Sequence, residues 1–242
     1  MGKIILWILA VLLGLCILYI LFLLFCALLV NEKLEYQQNS PFYRFLLYSA
    51  TAFCVKLLRI HIHTEGIDKI PKDGRFLFVS NHRSNFDPIL TWYVLKDYDL
   101  AFISKAENFR IPIFGRIIRK CCFMAIDREN PRNAIKTIEK AAGLIEKDEV
   151  SVAVYPEGTR SKECVLLPFH NGVFKIAQKA NVPIVVAAIQ GTEQIHKNYL
   201  RRRSDIQFEI VDMIPSDYVK MNRTTAISDR VRLDLSKVLT EK

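Results

Sequence analysis

Several common chemistries are missing from this 242-residue sequence. It holds no Gly-x-Ser-x-Gly elbow, no Walker-type phosphate loop and no dinucleotide-binding glycine fingerprint. The local signatures of an α/β hydrolase, a P-loop nucleotidase and a Rossmann dehydrogenase are therefore absent. The six cysteines include no Cys-x-x-Cys pair: Cys16 and Cys26 fall in an apolar run, and Cys121 adjoins Cys122. Neither a disulfide framework nor a zinc site is expected, and the thiols are read as reduced and cytosolic. His61 and His63 alternate on a predicted strand and share a face, but no third ligand stands at a suggestive spacing, so no metal is expected. Internal repeats, low-complexity tracts and long linkers are also missing.

Charge is absent from Ile4 to Val30. That run is long enough to cross the roughly 30 Å hydrocarbon layer as one tilted helix. A secretory signal has an apolar core of only about 7–15 residues and a small-residue cleavage site. A core helix of a soluble protein keeps a polar face. The run is therefore expected to be a retained membrane anchor. Lys3 is the only charge before residue 31, so the formal charge of +9 falls almost wholly on the remainder. A basic surface suits anionic lipid, nucleic acid or an acidic carrier protein. Lys33 and Arg44 follow the apolar run and favour a cytoplasmic location for the body of the protein. On a cytosolic body the glycosylation pattern Asn222-Arg223-Thr224 is a chance match.

A second helix is predicted from Pro41 to Leu58, with Arg44, Lys56 and Arg59 inside an arc of about 120°. It is either an amphipathic helix in the membrane interface or a helix packed on the domain. Residues 1–58 thus form an N-terminal anchoring region, and residues 59–242 the main domain. Within that domain, strands are predicted at Arg59–His63, Phe76–Ser80, Leu100–Ser104, Cys122–Ile126, Val150–Tyr155, Ile184–Ile189 and Ile206–Val211. Helices alternate with them. Asn130-Pro131 supplies a cap and a first turn, and Ile135, Ile138, Ala142 and Ile145 recur at helical spacing. Val173, Ile176, Ala177 and Ala180 do the same. The tail from Asp217 to Lys242 reads as a surface helix of mixed charge. The fold class is α/β, a largely parallel or mixed sheet flanked by helices.

Three clusters carry chemistry. Ser80-Asn81-His82-Arg83-Ser84-Asn85-Phe86-Asp87-Pro88 follows an apolar strand and precedes a helix. Sites in α/β sheets collect beyond the carboxyl ends of strands. His82 is suited to take a proton near neutral pH, and Asp87 can orient it and stabilise the imidazolium. Asp87 ahead of Pro88 also fits a simple helix cap. Tyr155-Pro156-Glu157-Gly158-Thr159-Arg160-Ser161 follows another apolar strand. Gly158 allows close backbone approach, Thr159 and Ser161 add hydroxyls, and Arg160 offers a fork for phosphate. Lys105, Glu107, Pro112, Gly115 and Arg128 form the third cluster, around an apolar stretch from Ile111 to Gly115.

Together these clusters resemble the glycerolipid acyltransferase family, especially the bacterial 1-acyl-glycerol-3-phosphate acyltransferases. Asn81, His82 and Asp87 match the family's first block. Lys105, Glu107, Pro112, Gly115, Asp127 and Arg128 match the second, Tyr155 to Ser161 the third, and Val182-Pro183 before a strand the fourth. The blocks occur in the family's order between about residues 75 and 192. Two positions depart: His170 stands where a Lys is common, and Val186 where a second Pro is common. The resemblance implies acyl transfer from a thioester to the free hydroxyl of a lysophosphatidate-like lipid. His82 and Asp87 would be catalytic, and Lys105, Arg128, Glu157, Gly158, Thr159 and Arg160 would bind substrate. No cofactor and no metal are implied. The donor is acyl-CoA or acyl carrier protein, and the partners are the bilayer and a lysophospholipid acceptor. Glycerol 3-phosphate and other lysophospholipids are alternative acceptors. A non-catalytic, membrane-anchored lipid binder would use Arg201-Arg202-Arg203 but would not need the His82/Asp87 pair; no nucleic-acid partner is expected.

Overall fold

The computed structural model describes residues 2–127, 130–199 and 201–239. Seven strands, β1 (Ile60–Glu65), β2 (Leu77–Ser80), β3 (Leu100–Lys105), β4 (Met124–Ile126), β5 (Ser151–Val154), β6 (Ile184–Gln190) and β7 (Ser204–Ile214), build one sheet in the order β1-β7-β6-β2-β5-β3-β4. The run β6-β2-β5-β3-β4 is parallel, with Leu77 opposite both Val152 and Ile184. β7 runs antiparallel to β6, with a register shift between Val186 and Ala187, and β1 is parallel to β7. The sheet is thus mixed, with a parallel centre.

The strand sequences explain their places. β2 and β5 are buried along their whole lengths, as expected for central parallel strands covered on both faces. β7 alternates: Ser204, Ile206, Phe208 and Ile210 are buried, while Asp205 and Gln207 are exposed. That period of two fits a strand near the sheet margin with one solvated face.

The helices are α1 (Gly2–Leu28), α2 (Pro41–Leu57), α3 (Phe86–Val94), α4 (Phe114–Lys120), α5 (Pro131–Glu146), α6 (Lys175–Ala180), α7 (Ile195–Asn198), α8 (Ser216–Met221) and α9 (Thr224–Val238). Asn130 caps α5, its Oδ1 accepting from the backbone N–H of Arg132 at 3.0 Å and of Asn133 at 3.4 Å. Ile138, Ala141, Ala142, Leu144 and Ile145 form the buried stripe of α5. Ile135, expected on that stripe, is 52% exposed. The C-terminal tail is two helices, not one surface helix. Ile227, Val231 and Leu235 of α9 are fully buried, so α9 is part of the core.

α1 contains an 18-residue stretch with a mean hydropathy of 3.1 and buries only Leu23, Cys26 and Ala27. Tyr19 Oη and Ser49 Oγ, 2.8 Å apart, join it to α2, and Tyr43 Oη donates to the Cys26 carbonyl at 3.0 Å. From Ile4 onward the rest of its surface is predominantly apolar and uncovered, which fits association with a membrane.

α2 divides more cleanly than its sequence suggests. Tyr43, Leu46, Leu47, Thr51 and Val55 face the domain. Phe42, Phe45, Phe53 and Leu57 are about half exposed or more, at 49%, 66%, 51% and 49%. Arg44, which helical spacing puts on one arc with Lys56 and Arg59, is 3% exposed, as fits a helix packed on the domain. Its guanidinium donates to the carbonyls of Leu100 at 2.5 Å, Asp99 at 3.0 Å and Cys121 at 3.0 Å, and to Asn39 Oδ1 at 2.7 Å. Arg44 therefore clamps the start of β3 to the end of α4 and is unavailable as a membrane-side charge. Cys121 and Cys122 lie buried beside it, and burial pushes their thiols up to about 12 and about 11.

Candidate active site

Parallel strands put their carboxyl ends on one edge of the sheet, and each of the three sequence clusters has residues there. The loop after β2 carries His82, the loop after β5 carries Glu157 to Arg160, and Lys105 ends β3. Thr192 follows β6 on the same edge. Arg128, expected to bind substrate, lies outside the described residues.

His82 and Asp87 are in direct contact. His82 Nδ1 lies 2.8 Å from Asp87 Oδ2. That oxygen also accepts from the backbone N–H of Arg83 at 2.6 Å and of Ser84 at 2.7 Å, and Thr192 Oγ1 donates to Oδ1 at 2.5 Å. Asp87 is wholly buried, and a carboxylate there is stable only because both oxygens are satisfied. The carboxylate acceptor makes Nδ1 the protonated nitrogen, leaving Nε2 as an acceptor. The His82 side chain is 18% exposed, enough to be reached from outside. Asp87 is not a simple helix cap. It is the second residue of α3, and the amides it binds belong to the loop before that helix.

Three further contacts hold the imidazole. Its ring stacks on Tyr155, with centroids 4.3 Å apart and planes 16° from parallel. Tyr155 Oη is 3.4 Å from Thr91 Oγ1, and burial raises its phenol well above the ordinary value. The His82 N–H donates to Glu157 Oε1 at 2.7 Å, and the His82 carbonyl accepts from the Ser161 N–H at 2.8 Å. Asn81 adds a brace from behind: its amide donates to the Ile189 carbonyl at 2.9 Å, and its Oδ1 accepts the Ile189 N–H at 2.8 Å.

Glu157, expected to bind substrate, is held within the loop network. It is 3% exposed, and its second oxygen accepts the Leu167 N–H at 2.9 Å. Burial, the leading cause, raises its carboxyl above the ordinary value, while the Leu167 and His82 amides pull it back. With each oxygen accepting a backbone N–H, Glu157 ties the His82 loop to the segment before α6.

Gly158 has φ +67°, and a Cβ there would come within 2.8 Å of the His170 ring. Here His170, at the position where the family often has a Lys, packs over the Gly158 turn. Gly115 is required for a different reason: a Cβ would run into the Phe109 carbonyl. Thr159 and Arg160 are exposed beyond Gly158, and Lys105 is exposed at the end of β3. Neither cation has a carboxylate partner among the described residues. Two positively charged side chains are thus free on the edge that holds His82.

Sequence reasoning missed two features of this site. Thr192 lies beyond the end of β6, where the rule that sites gather at strand ends would have flagged it. Arg232 of α9 gave no signal: it donates to the Leu167 carbonyl at 2.8 Å and the Leu166 carbonyl at 3.0 Å, holding the segment that Glu157 also binds.

Comparison with known proteins bears on the same edge. The acyltransferase family model matches residues 61–190, which include both the His82 and Glu157 loops. A 1-acyl-sn-glycerol-3-phosphate acyltransferase of Cocos nucifera is 36% identical over 130 residues, 53% of this chain and 42% of that protein. One from Haemophilus influenzae is 32% identical over 161 residues, 64% of this chain and 66% of that protein. The chain thus spans less than two thirds of the length of these curated relatives. The crystal structure of a 1-acyl-sn-glycerophosphate acyltransferase from Thermotoga maritima superposes with a TM-score of 0.66, at 23% identity, covering 91% of this chain and 88% of that one. It shares the fold. With more than half its length matched by the family model, and the His82/Asp87 pair inside the matched stretch, this chain belongs to the acyltransferase family.

Proposed function

We propose that this protein transfers a fatty acyl group from an acyl thioester to the free hydroxyl of 1-acyl-glycerol-3-phosphate, giving phosphatidate. The observation that carries the reading is the His82 Nδ1–Asp87 Oδ2 contact at 2.8 Å on an imidazole that remains reachable. Nε2 takes the hydroxyl proton as the oxygen attacks the thioester carbonyl. Asp87 stabilises the imidazolium so formed. Collapse of the tetrahedral intermediate breaks the C–S bond, and the imidazolium returns its proton to the departing thiolate. The chemistry calls for neither a covalent acyl-enzyme nor a cofactor.

Lys105, Arg160 and Arg128 would hold the acceptor's phosphate, with Gly158 and Thr159 shaping the turn that presents Arg160. The named relatives act in the same sense, as 1-acyl-sn-glycerol-3-phosphate acyltransferases. Residues 1–58 would anchor the enzyme in the bilayer that holds acceptor and product. The main domain would lie on the cytoplasmic side, where acyl-CoA and acyl carrier protein are found.

The test supplies full-length protein in detergent with an acyl-CoA, or acyl carrier protein, and one of three acceptors: lysophosphatidate, lysophosphatidylcholine or glycerol 3-phosphate. Phosphatidate should form, and Lys105→Ala and Arg160→Ala should each raise KM for lysophosphatidate by roughly tenfold, the cost of losing one charge-assisted phosphate contact. Equal use of lysophosphatidylcholine would sink the phosphate assignment. No product with any donor or acceptor would favour a lipid-binding protein without catalysis.

A further inference from the structure

The arginine run at residues 201–203 is not used by the chemistry above. Its placement follows from the sheet. β7 is antiparallel to β6, so its first residue, Ser204, lies at the carboxyl end of β6, on the edge that holds His82. β1 is parallel to β7 and pairs Ile60 with Ser204, which brings Arg59 to the same corner; the Ser204 N–H donates to the Arg59 carbonyl at 3.2 Å. The last turn of α2 brings Lys56 there too.

Asn198 organises the turn. Its carbonyl accepts the N–H of Arg201 at 2.9 Å and of Arg202 at 3.3 Å, and its amide donates to the Arg203 carbonyl at 3.3 Å and to Ser204 Oγ at 2.9 Å. Arg203 is neutralised by Asp205, which it meets at 2.6 Å and which also faces His63. Lys56, Arg59, Lys197, Arg201 and Arg202 are all exposed, and none has a carboxylate partner among the described residues. Beside them lie uncovered apolar side chains: Tyr199 at 51% exposure, and Phe53 and Leu57 of α2 at 51% and 49%. Lys56 shares its face of α2 with Phe42, Phe45 and Phe53 by helical spacing.

We propose that Lys56, Arg59, Lys197, Arg201 and Arg202 form a docking shelf for the headgroups of an anionic bilayer. Charge complementarity and continuity with the exposed aromatic face of α2 select that occupant. Aromatic rings at the headgroup level beside unpaired cations are the usual makeup of such a contact. The aliphatic Leu57 and the uncovered apolar length of α1 favour a bilayer over a nucleic acid. Engaged this way, the shelf seats the catalytic edge against the membrane and ties its seating to the anionic lipid content. The proposal deepens the reading of the protein as membrane-associated and rests on it. It does not depend on acyl transfer.

The arginine run is itself a tryptic site, so cleavage reports its cover without any activity measurement. Full-length protein is placed in nanodiscs of phosphatidylcholine alone, or with about 30% phosphatidylglycerol, and fragments are followed by mass spectrometry. Lys220 on α8 follows β7 and so lies on the opposite edge of the sheet; it is exposed and serves as the internal control. Cleavage at Arg201 and Arg202, relative to Lys220, should slow by roughly tenfold in the anionic discs, and high salt should restore it. Lys56→Gln with Arg59→Gln, which leaves the bonds after Arg201, Arg202 and Lys220 cleavable, should weaken that protection. Equal relative cleavage in both compositions would overturn the proposal even if the protein makes phosphatidate. Protection that salt does not reverse would also count against it.

Discussion

Asp87 and Glu157 are both buried carboxylates within one loop pair, and their surroundings give them different tasks. Asp87 holds the imidazole directly, with two backbone amides and Thr192 fixing its rotamer. Glu157 never touches the ring and instead binds the His82 and Leu167 amides. Its raised carboxyl makes a prediction with a definite sign. A group whose folded-state value lies above its unfolded value contributes stability that is fully present below the unfolded value, here 4.5, and lost as pH rises through the folded one. Wild-type protein should therefore lose stability relative to Glu157→Gln as pH climbs from 4.5 towards neutrality. Denaturant midpoints at a series of pH values in detergent would measure it. Parallel curves for the two proteins would show that Glu157 is not desolvated in the fold. At this scale the sequence was informative about which residues matter and less so about how. The His82/Asp87 pair was legible because its chemistry demands those two side chains close together after a strand. The role of Glu157 was not, because a carboxylate satisfied by backbone amides looks the same in sequence as one that meets a ligand.

Among the elements, α2 shows what periodicity leaves out. Arg44 sits at a helical position that reads as basic surface, yet it enters the core because three carbonyls at the β3 and α4 termini need a donor. The seven strands were all legible, since β-branched runs bounded by turn residues have few other readings. The split of the tail into α8 and α9 was not: the burial of Ile227, Val231 and Leu235 depends on a neighbouring sheet that local sequence does not reveal. Arg44 carries the prediction here. Arg44→Met should lower unfolding stability by about 3 kcal/mol, because it strands several buried carbonyls, and Arg44→Lys should recover less than half of that for want of a planar fork. Chemical denaturation in detergent would check it. A change below about 0.5 kcal/mol would mean that water satisfies those carbonyls when the guanidinium is gone.

For the molecule as a whole, the mixed sheet explains how distant segments share one edge. The parallel centre delivers the loops after β2, β5, β3 and β6 to a single side, and the antiparallel β7 brings residues 201–204 back to it. Apolar α1 fits association with a membrane, and the phenylalanine face of α2 is left uncovered beside it. The arrangement suits an enzyme whose acceptor and product both stay in the bilayer. The most direct measurement of the central claim is phosphatidate formation by wild type and His82→Ala side by side, with lysophosphatidate and an acyl-CoA, following free thiol and product together. The account predicts a fall of roughly 10²-fold or more in kcat for the variant, with the fold unchanged by circular dichroism. Equal turnover by the two proteins would contradict it, because the proton would then be leaving by a route that does not involve His82.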